Sequence, residues 1–311
     1  MKVNQSELAE FILLGFPSSR ELQVLLFMVF LAFYFLTITT NMFIICIVRL
    51  APSLWNSPMY MFLSHFSFLE IWYTTVTVPK MLLDFVAANN IISYQGCIAQ
   101  IYFFFALGLT ELFFLAVMAY DRYLAICQPL RYNAIMSKTV CNQLAGWSWL
   151  CGFLSAFLLI IPSSRLLFCS AKTINHFFCD FIPLLIISCN ETLVTDMVLY
   201  AVAWVIIFYS FFLTTVSYCY IIRTVLRLPS RIGRKKAFST CASHLIVVLT
   251  FYGTIIFMYI RPTTQYSFNM DKVVSVFYAV VIPLLNPLVY TLRNREVQQA
   301  VRKALAKNIF V

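Results

Sequence analysis

The chain has 311 residues, 62% of them apolar and 11% charged, and a formal net charge of +10. Soluble domains run at about 45–50% apolar and about 25% charged, so a soluble domain is excluded and an integral membrane protein is indicated. The basic excess does not mark a nucleic-acid binder, because it follows the loops. Lys and Arg crowd 223–236 and 293–307, with Arg49, Arg122, Arg131 and Lys138 on the same side, whereas only Lys2, Arg20, Lys80, Arg165, Lys172, Arg261 and Lys272 fall on the other. The positive-inside bias then places the start of the chain outside and its end in the cytoplasm. Apolar runs reach the roughly 20 residues that a helix needs to cross hydrocarbon, and no ten-residue alternation suggests a barrel.

Seven spans are predicted, over 25–48, 58–85, 98–127, 140–161, 193–226, 237–260 and 272–292. They divide the chain into an outer segment (1–24), a seven-span domain (25–292) and a cytoplasmic tail (293–311). Asn4-Gln5-Ser6 is a glycosylation sequon on the outer side,. Phe11-Ile12-Leu13-Leu14 is too short for the apolar core of a cleaved signal, so the first span is expected to direct its own insertion,. Asn41 is the strongly polar residue of that span. Pro58 suits the first turn of the second, where a missing N–H costs nothing. Glu70 and Glu111 lie in mid-span, where a carboxylate is expensive unless protonated, paired or solvated.

Cys97 opens the third span, and Cys169, Cys179 and Cys189 lie between the fourth and fifth, on the oxidising side,. Four cysteines allow three pairings. Cys46, Cys127, Cys141, Cys151, Cys219 and Cys241 are expected to remain thiols. A second sequon at Asn190 sits close to the fifth span, so its modification is less favoured than that of Asn4. At the inner end of the third span, Asp121 and Arg122 stand between Tyr120 and Tyr123, where the least they can do is anchor the boundary. Tyr218 reads locally as an interfacial aromatic, the basic stretch 223–236 as topology and anionic-lipid contact, and the lone His244 as a hydrogen-bonded core residue. Pro287 kinks the last span, and 294–305 has the spacing of an amphipathic helix on the inner leaflet.

The segment Met118-Ala119-Tyr120-Asp121-Arg122-Tyr123-Leu124-Ala125-Ile126-Cys127 resembles a signature of the vertebrate odorant receptors. So do Pro58-Met59-Tyr60-Met61-Phe62-Leu63, Lys236-Ala237-Phe238-Ser239-Thr240-Cys241-Ala242-Ser243-His244 and Pro283-Leu284-Leu285-Asn286-Pro287-Leu288-Val289-Tyr290. The likeness, to the tetrapod-type (class II) branch of these rhodopsin-like G-protein-coupled receptors, runs nearly end to end. It implies an all-α, seven-transmembrane helix bundle. Thr40 departs from it, since the family usually has Gly before the helix-1 Asn.

The resemblance selects Cys97–Cys179 and Cys169–Cys189 as disulfides. It assigns Asp121, Arg122, Tyr123, Tyr218, His244, Asn286, Pro287 and Tyr290 to the switch that couples to a G protein. It places Glu70 and Glu111 in an ion cavity, making a sodium ion the expected modulator; two protonated, hydrogen-bonded carboxyls are the alternative. No other cofactor is implied. Phe104, Phe105, Gly108 and Leu109 form one stripe of the third span, either packing or a ligand wall. By resemblance the wall is completed by Val202, Ile206, Tyr252, Ile255, Ile256, Tyr259, Val276 and Ala279.

None of these wall residues is charged, and small-molecule pockets are mostly apolar. Amine receptors carry Asp where this chain has Phe104, so a cationic amine is disfavoured. A small neutral volatile is expected, held by one hydrogen bond to Tyr259 or Tyr252. The implied partners are that ligand, membrane lipid and the stimulatory olfactory-type G protein that raises cAMP, in the plasma membrane of olfactory cilia. No nucleophile–base pair, phosphate loop or metal-ligand motif points to an enzyme. A transporter would show matched halves and a charged path. A rhodopsin-like receptor for a non-odorant metabolite elsewhere in the body stays open.

Overall fold

The computed structural model describes residues 10–16, 19–87, 90–163, 166–168, 172–189, 193–227, 229–259, 268–292 and 295–306. Seven long helical segments form one bundle: α1 (Arg20–Leu50), α3 (Pro58–Val86), α4 (Tyr94–Cys127), α6 (Lys138–Ser163), α8 (Leu193–Leu226), α9 (Arg231–Tyr259), and a seventh broken into α10 (Phe268–Val276), a π turn (Phe277–Val281) and α11 (Ile282–Leu292). Among the described residues five of these are long and apolar enough to cross a membrane by length and composition. Short helices α2 (Pro52–Trp55), α5 (Pro129–Ile135) and α7 (Phe181–Ile186) fill loops, and α12 (Arg295–Ala306) follows the bundle.

The starts of the helices are written locally. Ser19 and Ser93 cap α1 and α4 by accepting from Leu22 and Gly96 N–H, and Pro52, Pro58 and Pro129 occupy first turns,. α1 and α9 begin earlier than hydropathy predicts, at Arg20 and Arg231, because their polar first turns continue the helix beyond the apolar run. Thr40, the departure in the first span, turns its hydroxyl back onto the Leu36 carbonyl at 2.6 Å and so adds no unsatisfied group.

The seventh helix also carries a proline inside α11. Pro287 lacks the N–H that would bond the carbonyl four residues back, at Pro283. Asn41 Nδ2 donates to that carbonyl at 3.3 Å and to Thr37 O at 3.0 Å, tying α1 to α11 while satisfying the freed acceptor,. Just upstream, Ile282 N–H reaches back five residues to Phe277 O, which makes the π turn.

α4 is the hub, packed against α3, α5, α6, α8 and α9. Its approach to α6 is backbone-close: a Cβ at Gly152 would lie 2.0 Å from Thr110 Oγ1 and 2.7 Å from Thr110 N. The outer end carries a feature absent from the sequence reading, a three-stranded sheet. β1 (Glu10–Leu13) is its centre strand, antiparallel to β2 (Ile91–Ser93) and parallel to β3 (Thr173–Ile174). β1 alternates, burying Phe11 and Leu13, and Gly15, at φ 58°, turns the chain in a conformation that favours glycine,.

Candidate ligand cavity and switch

A cavity of about 40 Å³ opens between α3, α4, α6, α8, α9 and the π turn. Its wall is Tyr73, Phe104, Phe105, Gly108, Leu109, Leu112, Leu159, Leu199, Val202, Ala203, Ile207, Ile255 and Tyr278. Phe104 lies seven residues along α4 from Cys97, about 10 Å at 1.5 Å per residue, so the cavity belongs to the outer half. Its volume holds roughly three waters, and a larger ligand must rotate wall side chains to enter.

Six of the residues singled out from the sequence meet here: Phe104, Phe105, Gly108, Leu109, Val202 and Ile255. Ile206, Tyr252, Ile256, Val276 and Ala279 are not on the wall, and the Tyr259 side chain lies outside the described residues. Tyr252 instead turns its hydroxyl toward Ser210 and Thr214 without closing a hydrogen bond to either. Leu112 and Leu199 continue the i, i+3, i+4 stripes of Leu109 and Val202, a signal present in the sequence. Tyr73, Leu159 and Tyr278 carried no such signal.

Below the cavity lies a polar column. Glu70 and Glu111 are fully buried; Asn286 Nδ2 donates to Glu70 Oε1, and Glu111 faces the same pair. Among the described residues, Glu70 Oε2 and Glu111 Oε1 have no hydrogen-bond partner. Two bare carboxylates side by side in an apolar bundle repel and lack solvent, so the arrangement requires a proton or a small cation. The donor set is hard oxygen, which fits a hard monovalent ion.

At the inner end, Asp121 is buried and accepts from the Tyr132 hydroxyl of α5 at 2.7 Å. Burial, and then Asp121 itself, push the Tyr132 hydroxyl above its ordinary range and keep it a donor. Arg122 is half-buried and forms no ion pair; the pair found among the described residues is Lys80–Asp84. Tyr218 and His244 share a hydrogen bond of 2.6 Å that joins α8 to α9, close enough to Arg122 to feel its charge. Tyr123 accepts from Gln128 at 3.0 Å. Tyr290 lies in α11, its side chain outside the described residues.

The outer end is tied down more densely. Cys97 and Cys179 form a disulfide. Cys189 is also disulfide-bonded, while Cys169, Asn4 and Asn190 lie outside the described residues. Cys46, Cys127, Cys141, Cys151, Cys219 and Cys241 are thiols. Lys272 Nζ donates to Gly15 O and Asn175 Oδ1, both at 2.7 Å. His176 is buried, with Nε2 3.2 Å from Ser275 Oγ, which lies 3.0 Å from the Tyr278 hydroxyl. Burial first, and then the Lys272 charge, hold the His176 imidazole down to about 3, so it is neutral.

A family model described as olfactory receptor matches residues 30–308. Olfactory receptor 6Y1 of Homo sapiens is 48% identical over 302 residues, covering 97% of this chain and 93% of the relative. Olfactory receptor 6B1 of Homo sapiens is 49% identical over 300 residues, with 96% of each chain covered. Olfactory receptor 287 of Rattus norvegicus is 48% identical over 302 residues, with 97% of each covered.

Proposed function

The chain belongs to the olfactory receptor family, and from that premise we propose that it detects small, neutral, largely apolar volatiles and raises cAMP through the stimulatory G protein of olfactory neurons. It is a multi-pass membrane receptor and not an enzyme. The observation that carries the ligand class is the cavity wall, which has no charged side chain and two hydroxyls among its thirteen residues. A charged amine or carboxylate would meet no counterion there.

In this mechanism the ligand acts only through its differential affinity for two bundle states. Entering a cavity this small, it shifts wall side chains on α4, α8 and α9. Outward movement of α9 then separates Tyr218 from His244, frees Arg122 and opens an inner cleft to the G protein. A sodium ion on Glu70, Glu111 and Asn286 favours the closed state, as the unpartnered carboxyl oxygens suggest; Glu111→Gln is expected to remove the sodium response of signalling. The working location is the ciliary membrane of olfactory neurons.

The test is cAMP in cells expressing the chain with the olfactory G protein, across neutral volatiles, beside Arg122→Ala and with surface level measured. A ligand-dependent rise that vanishes in Arg122→Ala at equal surface level is expected. A response confined to amines or carboxylates would overturn the ligand class.

A further inference from the structure

Two wall residues carry a hydroxyl, and they differ. Tyr278 is engaged through Ser275 and so linked to His176. Tyr73 is 2% exposed and stacks on Phe104 at 4.9 Å, yet its hydroxyl forms no hydrogen bond among the described residues. Phe104 also meets Tyr278, at 5.7 Å, so the two phenols flank one ring of the cavity. We propose that Tyr73 is the specificity-determining residue of the cavity, donating its phenol proton to a single acceptor oxygen on the ligand, as in a ketone, aldehyde or ester. This rests on the cavity being the ligand site of the receptor described above.

The choice of acceptor follows from counting protons. A hydroxyl donor without an acceptor forgoes a hydrogen bond, and leaving it bare in an apolar cavity adds a desolvation cost. A carbonyl oxygen satisfies it and brings no donor of its own. An alcohol can accept the same proton, but its own O–H is then left among Phe105, Leu109 and Leu112 with nothing to bond. A hydrocarbon leaves Tyr73 bare. The ranking is therefore carbonyl above alcohol above hydrocarbon at matched chain length.

The experiment measures half-maximal concentrations for cAMP with medium-chain 2-alkanones, the matching 2-alkanols and the matching alkanes. It uses the full chain, Tyr73→Phe, Tyr278→Phe and Gly108→Ala, each at measured surface level, with Arg122→Ala as the signalling control. The native chain is expected to rank ketone, alcohol, alkane. Tyr73→Phe should shrink the ketone-to-alkane advantage by about tenfold, and Tyr278→Phe should leave it in place. Gly108→Ala puts a methyl 3.8 Å from the Tyr73 ring, so it should weaken all three series alike and spare the ratio.

A native ranking with alcohols or alkanes first overturns the proposal without recourse to any variant, as does an unchanged ratio in Tyr73→Phe. Arg122-dependent signalling to volatiles of other chemistry, with ketones silent, overturns the anchor and leaves the receptor reading standing. Absence of any Arg122-dependent signal across the panel overturns both.

Discussion

The two ends of the bundle are held by different kinds of bond. Outside, a disulfide, a sheet drawn from three separate segments and the two bonds of Lys272 fix the loops to the helices. Inside, the switch elements meet across a small apolar cluster and are joined by hydrogen bonds of Tyr132 to Asp121, Tyr218 with His244 and Cys127 with Thr224. Bonds of this kind are worth about 0.5–1.5 kcal/mol net, and about 1.5–3 kcal/mol to a charged acceptor, so a bound ligand is enough to exchange them. The contrast separates duties. The outer end keeps the shape of the cavity constant, and the inner end keeps two arrangements close in free energy.

Breaking the outer end should therefore appear as lost stability. Cys97→Ser removes the tie between α4 and the loop of β3 and is expected to cost about 2–5 kcal/mol, read as a fall in surface level and in melting temperature after extraction.

Acid should act at the same end through His176. The unfolded imidazole takes up a proton as pH falls through 6.5, whereas the folded one resists until about 3. In that window the unfolded state binds more protons, so stability is full above 6.5 and declines below it, by about 2 kcal/mol at pH 5 from this group. The melting temperature should drop between pH 7 and 5, and His176→Gln should flatten that drop.

The inner end should answer in activity instead. Tyr132→Phe withdraws the donor from Asp121, worth about 1.5 kcal/mol for a charged acceptor near the surface. It should raise ligand-independent cAMP severalfold while moving the melting temperature little. A loss of surface expression in Tyr132→Phe comparable to that of Cys97→Ser would erase the distinction between the ends.

The parts legible in the sequence are those encoded by runs and by local chemistry. Apolar length marked the spans, Pro58 marked the start of α3, and the four signatures marked the family. What escaped depends on which way a helix is turned or on segments far apart in sequence. The inward faces of α3 and of the π turn are not announced by any regular pattern, so Tyr73 and Tyr278 gave no sign of sharing a wall with Phe104. The strands are two to four residues long, too short for alternation to stand out, and their pairing joins residues 10–13 with 91–93 and 173–174. Tyr132 carried no signal in the sequence, because its partner, Asp121, sits on a different helix.

The bond from Lys272 to the Gly15 carbonyl spans 257 residues of sequence. During synthesis β1 emerges first, but its neighbour β3 comes after four spans and its lysine clasp only with the seventh. Until the loop before the fifth span follows, Phe11 lacks the ring of Phe168 and Phe16 that of Phe177. The lysine clasp is thus a physical record that translation and insertion have reached the last helix, and a chain stalled before β3 displays an apolar strand on the lumenal side where the cell's folding machinery works.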